Sequence, residues 1–231
     1  MTFSSRLREQ ADSIFKAVLA HPFVDGIAKQ SVEPSALIHY VRQDIQYLST
    51  YAKVYGLAIA KSPDQSFMQL FHRRIDLVLN GEITAHLNFC KVAGVDYDML
   101  HDSRQMAPTA QHYATHMLST AQMGQLGDII AVLLPCHWIY VDIAKTMQKT
   151  LQPTSNHLFY DWISFYADDR MAVGLKELID ALDQIAKNAS ADELRSMQNA
   201  FLTSCQMEYK FFEMAYTLEH WPVPVESAYV Y

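Results

Sequence analysis

The chain has 231 residues, of which half are apolar and 19% are charged, so it contains ample material for one sizeable hydrophobic core. The formal net charge is −7 at pH 7, and acidic and basic residues are interspersed without a basic run. Nucleic acids and anionic membranes need a clustered positive patch, so this pattern disfavours both as main partners. The three cysteines, Cys90, Cys136 and Cys205, form no CxxC pair, which predicts a reducing compartment without a disulfide framework or a zinc site.

The N-terminal residues carry charges where a signal peptide would need an apolar stretch. Arg6, Glu9 and Asp12 all fall in this region. The longest apolar run, Ile129–Cys136, is far too short to span a bilayer. We therefore expect a soluble, cytoplasmic protein.

Helical spacing of apolar residues dominates the sequence. The chain has only seven glycines and eight prolines, and no segment shows the sustained alternation typical of strands. Pro34 suits the first turn of a helix, and Ser190 followed by Glu193 has the spacing of a capping box. The sequence predicts an all-α fold, a single helical-bundle domain over residues 1–231. The predicted helices cover residues 3–20, 35–60, 65–92, 108–122, 126–149, 156–166, 170–187 and 192–219.

The second predicted helix carries a stripe of tyrosines and one carboxylate. At about 100° per residue, one face of it collects Asp44, Tyr47, Tyr51 and Tyr55. One interpretation is a tyrosine stripe that packs against a neighbouring helix, with Asp44 accepting hydrogen bonds from it. The other is a ligand-binding wall, in which aromatic rings sandwich a flat ring and Asp44 accepts hydrogen bonds from its amino edge. In both cases the carboxylate needs donors, because its burial among aromatic rings is otherwise costly.

A second signal is the segment around Cys136. Pro135 lies inside a strongly helical pattern, where it removes one backbone hydrogen bond and predicts a kink beside the cysteine. Tyr140 follows one turn later on the same face. A buried cysteine is usually a small hydrophobic residue with a raised pKa, whereas a nucleophilic one needs a base or a polar shell. This helix alone supplies neither, so both interpretations stay open at this point.

The last predicted helix places a carboxylate among aromatic residues. Glu208 shares a face with Phe211 and Phe212, whereas Lys210 and Glu213 can reach water. Desolvation raises the pKa of a carboxyl group toward neutrality, which suits a general acid. The alternative is a half-exposed glutamate at the margin of the helix.

Two histidine-containing pairs have the spacing of metal ligands on one helix face. They are Glu82 with His86 and His112 with His116. The Glu-x-x-His pair of ferritin-like di-iron proteins is absent from the sequence, and no third helix offers an obvious set of partner ligands. We therefore predict neither a metal nor an organic cofactor.

Taken in order, these segments resemble the TenA/thiaminase II family, whose fold is like that of haem oxygenase. The resemblance covers nearly the whole chain and depends on several motifs in register rather than on any one of them. The matching motifs are His21-Pro22-Phe23, Tyr40-x-x-Gln43-Asp44-x-x-Tyr47-Leu48, Leu134-Pro135-Cys136-x-Trp138-x-Tyr140, Tyr160-x-Trp162-Ile163-x-x-Tyr166, Glu208-x-x-Phe211-Phe212-x-Met214-Ala215 and Glu219-x-Trp221-Pro222.

The resemblance implies a hydrolase that converts 4-amino-5-aminomethyl-2-methylpyrimidine to the hydroxymethylpyrimidine in the salvage of thiamin breakdown products; members also cleave thiamin. Cys136 would be the nucleophile that adds to the pyrimidine ring, which places the chain in the branch with this cysteine rather than a glutamate. Glu208 would protonate the leaving amine and then activate water. Asp44 would hold the ring nitrogen and the amino edge. The tyrosines expected to shape the pocket are Tyr47, Tyr113, Tyr140 and Tyr166.

The chain departs from the family pattern at two places. Phe212 stands where the family usually has Trp, and the stretch Asp168–Met171 replaces one that commonly ends in Phe. These changes bear on the choice of substrate among aminopyrimidines, thiamin and formylated precursors. The resemblance further implies a homo-oligomer, a tetramer, that acts on a small molecule. Two alternatives stay open: a haem-oxygenase-like di-iron oxidase that uses Glu82 and His86, and a non-catalytic pyrimidine-binding protein on the same scaffold.

Overall fold

The computed structural model describes residues 1–101 and 106–223, and all regular structure within these residues is helical, which confirms the all-α prediction. The helix predicted over residues 156–166 begins only at Tyr160. The elements are α1 (Phe3–Gln10), α2 (Asp12–Leu19), α3 (Pro22–Lys29), α4 (Pro34–Ala60), α5 (Gln65–Asp76), a π-helical turn (Leu77–Gly81), α6 (Ile83–Ala93), a 3-10 turn (Tyr97–Leu100), α7 (Pro108–Met123), α8 (Leu126–Leu151), α9 (Tyr160–Ala167), α10 (Asp169–Ala186) and α11 (Ala191–Thr217).

The N-terminal region contains three short helices where the sequence pattern predicts one. Helix α1 ends at Gln10, because the next residue, Ala11, has a ψ of 1° and leaves the helical path, and α2 starts at Asp12. Helix α3 is not predicted by the apolar spacing. The ring of His21 caps it by accepting a hydrogen bond from the N–H of Phe23 at 3.1 Å, and Pro22 occupies the first helical position.

The predicted helix over residues 65–92 is interrupted by the π-helical turn between α5 and α6. The N–H of Glu82 donates to the carbonyl of Leu77, five residues earlier, at 3.2 Å. Such turns insert one residue into an α-helix and occur frequently at functional sites. Because the helices on both sides keep the α-helical period, the spacing of apolar residues does not reveal the insertion.

Helix α8 forms the centre of the bundle. It packs most extensively against α11 and also contacts α9 and α10, and the side chains of Ile129–Leu134 have no exposed surface. By length and composition α8 could cross a membrane, yet 83% of its most apolar stretch is buried inside the bundle. Full burial of one aliphatic side chain stabilises a fold by about 1.5–3 kcal/mol, so this helix contributes strongly to the core.

Two buried hydroxyl groups hold α8 next to its proline. Tyr51 of α4 donates to the carbonyl of Leu133, and Ser204 of α11 donates to the carbonyl of Val132, both at 2.8 Å. Pro135 deprives this turn of one backbone donor, and the two hydroxyl groups donate into the same turn. Helix α8 therefore runs unbroken through the proline instead of ending there, and its neighbours fix the segment that carries the next residue, Cys136.

Candidate active site

A cavity lies between α4, α8 and α11 and is closed by residues of α5, α7, α9, α10 and the π-helical turn. The free space inside it is small, about 30 Å³, so the lining side chains lie close together around it. All the residues that the sequence predicts for the site line this one cavity. They are Cys136, Glu208, Asp44, Tyr47, Tyr113, Tyr140 and Tyr166.

Cys136 has the polar surroundings that α8 alone does not provide. Its side chain is partly buried and lines the cavity together with the carboxyl group of Glu208. Burial raises the pKa of the thiol well above its usual range, and the carboxyl groups of the cavity raise it further, in the order Glu208, Glu82 and Asp44. The hydroxyl group of Tyr47 acts in the opposite direction. The thiol is therefore protonated at rest, and thiolate forms only when a neighbouring group or the ligand takes the proton.

Glu208 is a buried carboxyl group, only 2% exposed, so the alternative of a half-exposed glutamate is wrong. The hydroxyl group of Tyr113, on α7, donates to its Oε1 at 2.6 Å. Burial raises the pKa of Glu208 to about 8, although the hydrogen bond from Tyr113 lowers it. The carboxyl group is consequently protonated near neutral pH and can act as a proton donor beside the Cys136 thiol.

Asp44 takes its hydrogen bond from a histidine rather than from the tyrosine stripe. Nε2 of His86 donates to Oδ2 of Asp44 at 2.7 Å, and both side chains are buried. Within the described residues, the donor to Asp44 thus lies on the neighbouring helix α6 and not on α4 itself. No group in the described part of the chain donates to Oδ1, so this oxygen is free to accept a hydrogen bond from a ligand.

A third carboxyl group, that of Glu82, reaches the cavity from the end of the π-helical turn. The hydroxyl group of Tyr166 donates to its Oε2 at 2.5 Å. Desolvation raises the pKa of Glu82 to about 7, against the effect of this hydrogen bond. Two protonatable carboxyl groups, Glu82 and Glu208, thus share the cavity with Asp44.

The tyrosines pack on one another and line the cavity at the same time. The hydroxyl groups of Tyr40 and Tyr140 are hydrogen-bonded to each other, and the ring of Tyr140 lies 5.0 Å from that of Tyr166. The rings of Tyr47 and Tyr113 are 4.9 Å apart. The hydroxyl group of Tyr47 is buried without a hydrogen-bond partner of normal geometry among the described residues. A buried polar group without a partner is costly, and a bound ligand would supply one.

The two departures from the family pattern lie at different depths. Met171 lines the cavity directly, so a change there alters the shape that a ligand meets. Phe212 is fully buried behind the wall, where its ring stacks on Tyr140 at 5.5 Å. Its effect on a ligand is therefore transmitted through the position of the Tyr140 ring.

Three of the four residues in the pairs with metal-ligand spacing have other partners. Glu82 and His86 are engaged by Tyr166 and Asp44, and His116 donates to the carbonyl of Ala200 at 3.4 Å. Over residues 1–101 and 106–223, no three His, Cys, Asp or Glu side chains are grouped as ligands of one metal ion. This arrangement does not favour the di-iron alternative.

Comparison with known proteins identifies the family. The sequence profile of the TENA/THI-4/PQQC family matches residues 7–218. The chain belongs to this family. An aminopyrimidine aminohydrolase of Halalkalibacterium halodurans is 36% identical over 222 residues, which cover 96% of this chain and 98% of that protein.

Solved structures confirm the predicted fold. A TenA homologue from P. horikoshii OT3 superposes with a TM-score of 0.82 at 20% identity, covering 94% of this chain and 99% of the other. A domain of unknown function with a heme oxygenase-like fold from Shewanella denitrificans OS217 superposes with a TM-score of 0.71 at 14% identity, covering 93% and 92%. The predicted family and the haem-oxygenase-like fold are both confirmed.

Several residues of the cavity are not singled out as ligand-binding by the sequence. The spacing of Glu82 and His86 is visible, but it suggests a metal rather than a partner for Asp44 and a carboxyl group for the cavity. Arg74 and His137 also line the cavity, and no motif points to them. Arg74 follows His72 and Arg73 in a polar stretch of α5, so the sequence does not distinguish it from its exposed neighbours, and only its burial in the structure does.

Proposed function

We propose that the protein hydrolyses 4-amino-5-aminomethyl-2-methylpyrimidine to the hydroxymethylpyrimidine and ammonia; relatives over its full length are named aminopyrimidine aminohydrolases. The observation that carries the proposal is that Cys136, the buried carboxyl group of Glu208 and Asp44 line one cavity. A nucleophile beside a proton donor, with an acceptor for a ring edge, is the minimum set for this reaction.

The reaction balances with these residues. The ligand's amino edge donates to the free Oδ1 of Asp44. The sulfur of Cys136 bonds to an electron-poor ring carbon, and its proton passes to a ring nitrogen. The electron-rich ring then expels the amine from the methylene carbon, and the carboxyl group of Glu208 protonates it so that it leaves as ammonia. Water adds to the methylene and returns a proton to the Glu208 carboxylate. The carbon–sulfur bond then breaks and the ring nitrogen gives its proton back to the sulfur, which restores the aromatic ring and the Cys136 thiol.

The raised pKa values suit this sequence of steps. Glu208, with a pKa of about 8, carries the proton that the leaving amine needs near neutral pH. The thiol of Cys136, with its pKa raised by burial, does not remain as a reactive thiolate in the absence of ligand. Proton transfer to the ring nitrogen as the sulfur attacks provides a route to the thiolate only when a pyrimidine is bound.

The experiment is an ammonia-release assay on the aminomethylpyrimidine with purified protein. The variant Cys136→Ser should abolish turnover while leaving the helical circular dichroism spectrum unchanged. The matched control is Cys90→Ser, a buried cysteine of α6 away from the cavity, which should keep turnover. Wild-type turnover in Cys136→Ser would contradict the proposal, and product binding without any turnover by the wild type would favour the non-catalytic alternative.

Thiamin is proposed as a second substrate of the same cavity, because its pyrimidine offers the same edge to Asp44. Its thiazolium leaving group already carries a positive charge and departs without a proton. Glu208→Gln should therefore slow the release of thiazole less than the release of ammonia, where general acid catalysis contributes about 10²–10⁴-fold. Equal losses in the two release steps would remove the leaving-group role of Glu208.

We also propose that the protein is a cytoplasmic homotetramer. The three free cysteines suit a reducing compartment. Exposed apolar side chains along the π-helical turn and α6, those of Leu79, Ile83 and Leu87, offer a surface for self-association. Light scattering on the purified protein tests the tetramer, and a monomer at micromolar concentration would refute it.

A further inference from the structure

Arg74 is a buried cation in the cavity wall that the proposed reaction does not use. It lies in the last turn of α5 and is 9% exposed. Its Nη2 donates to Oε2 of Glu177, on α10, at 3.4 Å, which is a long contact. Its Nε and Nη1 are buried and have no hydrogen-bond partner among the described residues. Unpaired buried donors on a charged group are costly to fold, so their retention needs an explanation.

Helix α10 is shaped to admit this guanidinium. A Cβ atom placed on Gly174 would lie 1.6 Å from Nη1 of Arg74, closer than any real contact. Only glycine therefore leaves room for the guanidinium at this position of α10. Met171, one turn earlier on the same helix, lines the cavity at the place where the sequence departs from the family pattern.

The groups around Arg74 do not neutralise it within the cavity. His137, on α8, has a pKa lowered to about 4 by burial, so its ring is neutral. Its Nε2 donates to the carbonyl of Met171 at 2.8 Å and leaves that carbonyl occupied. The carboxylate of Glu177 is partly exposed and also accepts a hydrogen bond from Arg73 at 3.0 Å. Among the described residues, the guanidinium of Arg74 therefore has one anionic partner, Glu177, and the contact between them is long.

We infer that the Arg74 end of the cavity binds an anionic oxygen group, a carboxylate or a phosphate, carried by the substituent on the ring of a bound pyrimidine. Guanidinium groups are the side chains best suited to such oxygens. The aminomethyl substituent carries no acceptor of this kind, so the ligands of this protein extend beyond the simple aminopyrimidine. The inference rests on the proposed function only in that the ligand is a pyrimidine.

The test is equilibrium binding, measured by titration calorimetry, which needs no turnover. Three probes share one ring: the neutral hydroxymethylpyrimidine, its phosphate monoester, and the pyrimidine with a carboxylate on the same ring carbon. The wild type should bind at least one anionic probe about 10- to 100-fold more tightly than the neutral one, as expected for hydrogen bonds to a charged group. The probe that gains shows which anion the site accepts, and equal affinities for all three probes would overturn the inference.

Variants assign the preference to Arg74. Arg74→Met should remove it, whereas Arg73→Met, which changes the exposed neighbour on the same helix, should keep it. If Arg74→Met does not fold, Gly174→Ala tests the same site, because its methyl group displaces the guanidinium. A preference for the anionic probe that survives in the folded variants would overturn the inference. Binding of the neutral probe with no hydrolysis by the wild type would instead count against the proposed function alone.

Discussion

Replacing Glu208 by Gln should make the protein more stable near neutral pH, because the native fold holds this carboxyl group in an unfavourable environment. The pKa of Glu208 is about 8 in the folded chain and 4.5 for the ordinary group. Between these two values the folded state keeps a proton that the unfolded state has released. Stability therefore falls as pH rises through this window, by at most about 1.4 kcal/mol per pH unit.

Glu208→Gln removes this dependence of stability on pH, because an amide does not titrate, and it keeps the size of the side chain and an oxygen that accepts hydrogen bonds. At about pH 5 the protonated wild type and Glu208→Gln should have similar free energies of unfolding, and at about pH 7 the variant should be more stable by roughly 2–3 kcal/mol. Glu82, with a pKa of about 7, adds a similar slope, and His137, with a pKa of about 4, opposes it below pH 6.5. Both are present in the two proteins, so the difference between them isolates Glu208.

Urea unfolding followed by circular dichroism across this pH range measures the difference. The control is Glu9→Gln, which changes an exposed glutamate of α1 and should give a curve parallel to that of the wild type. If the curves of Glu208→Gln and the wild type were also parallel, the carboxyl group would be ionised in the folded protein. The argument that Glu208 is a resting proton donor would then be refuted.

Three further predictions follow from single contacts. Tyr113→Phe removes a hydrogen bond that lowers the pKa of Glu208, so the loss of activity at alkaline pH should move to higher pH in a pH–rate profile; an unmoved limb would contradict this. His86→Leu leaves Asp44 without its donor and should weaken binding of the pyrimidine product about 10-fold or more by calorimetry, unless Asp44 plays no part in binding. Tyr51→Phe should lower stability by about 1–2 kcal/mol in urea unfolding, whereas an unchanged midpoint would show that the α8 carbonyl needs no such donor.

Most of the fold follows from local patterns that the sequence displays directly. Pro34 marks the start of α4, and the capping box of Ser190 and Glu193 marks the start of α11. The structure contains both hydrogen bonds of this capping box. The break at Ala11 is different, because no proline or glycine marks it. It depends on how α1 and α2 pack on the rest of the bundle, and such tertiary effects override local propensity.

The candidate site divides in the same way. The residues Cys136, Glu208 and Asp44 can be placed on the faces of their own helices by periodicity, and the structure brings them to one cavity. Their partners lie on other helices far along the chain, and spacing within one helix carries no information about them. Only the packing of the bundle therefore shows that His86 donates to Asp44. The same holds for the place of the Arg74 guanidinium beside Gly174.

The π-helical turn Leu77–Gly81 makes the length of this segment as important as its side chains. Each residue turns a helix by about 100°, so deleting one residue here would leave α5 and α6 helical but rotate one against the other. Glu82 and His86 would then swing away from their partners across the cavity, although neither had been substituted. A relative with one residue fewer in this segment would need a different donor for its counterpart of Asp44. An insertion or deletion at this turn therefore changes the site as much as a substitution of Glu82 or His86 does, and it has to be considered when site residues are inferred from one relative to another.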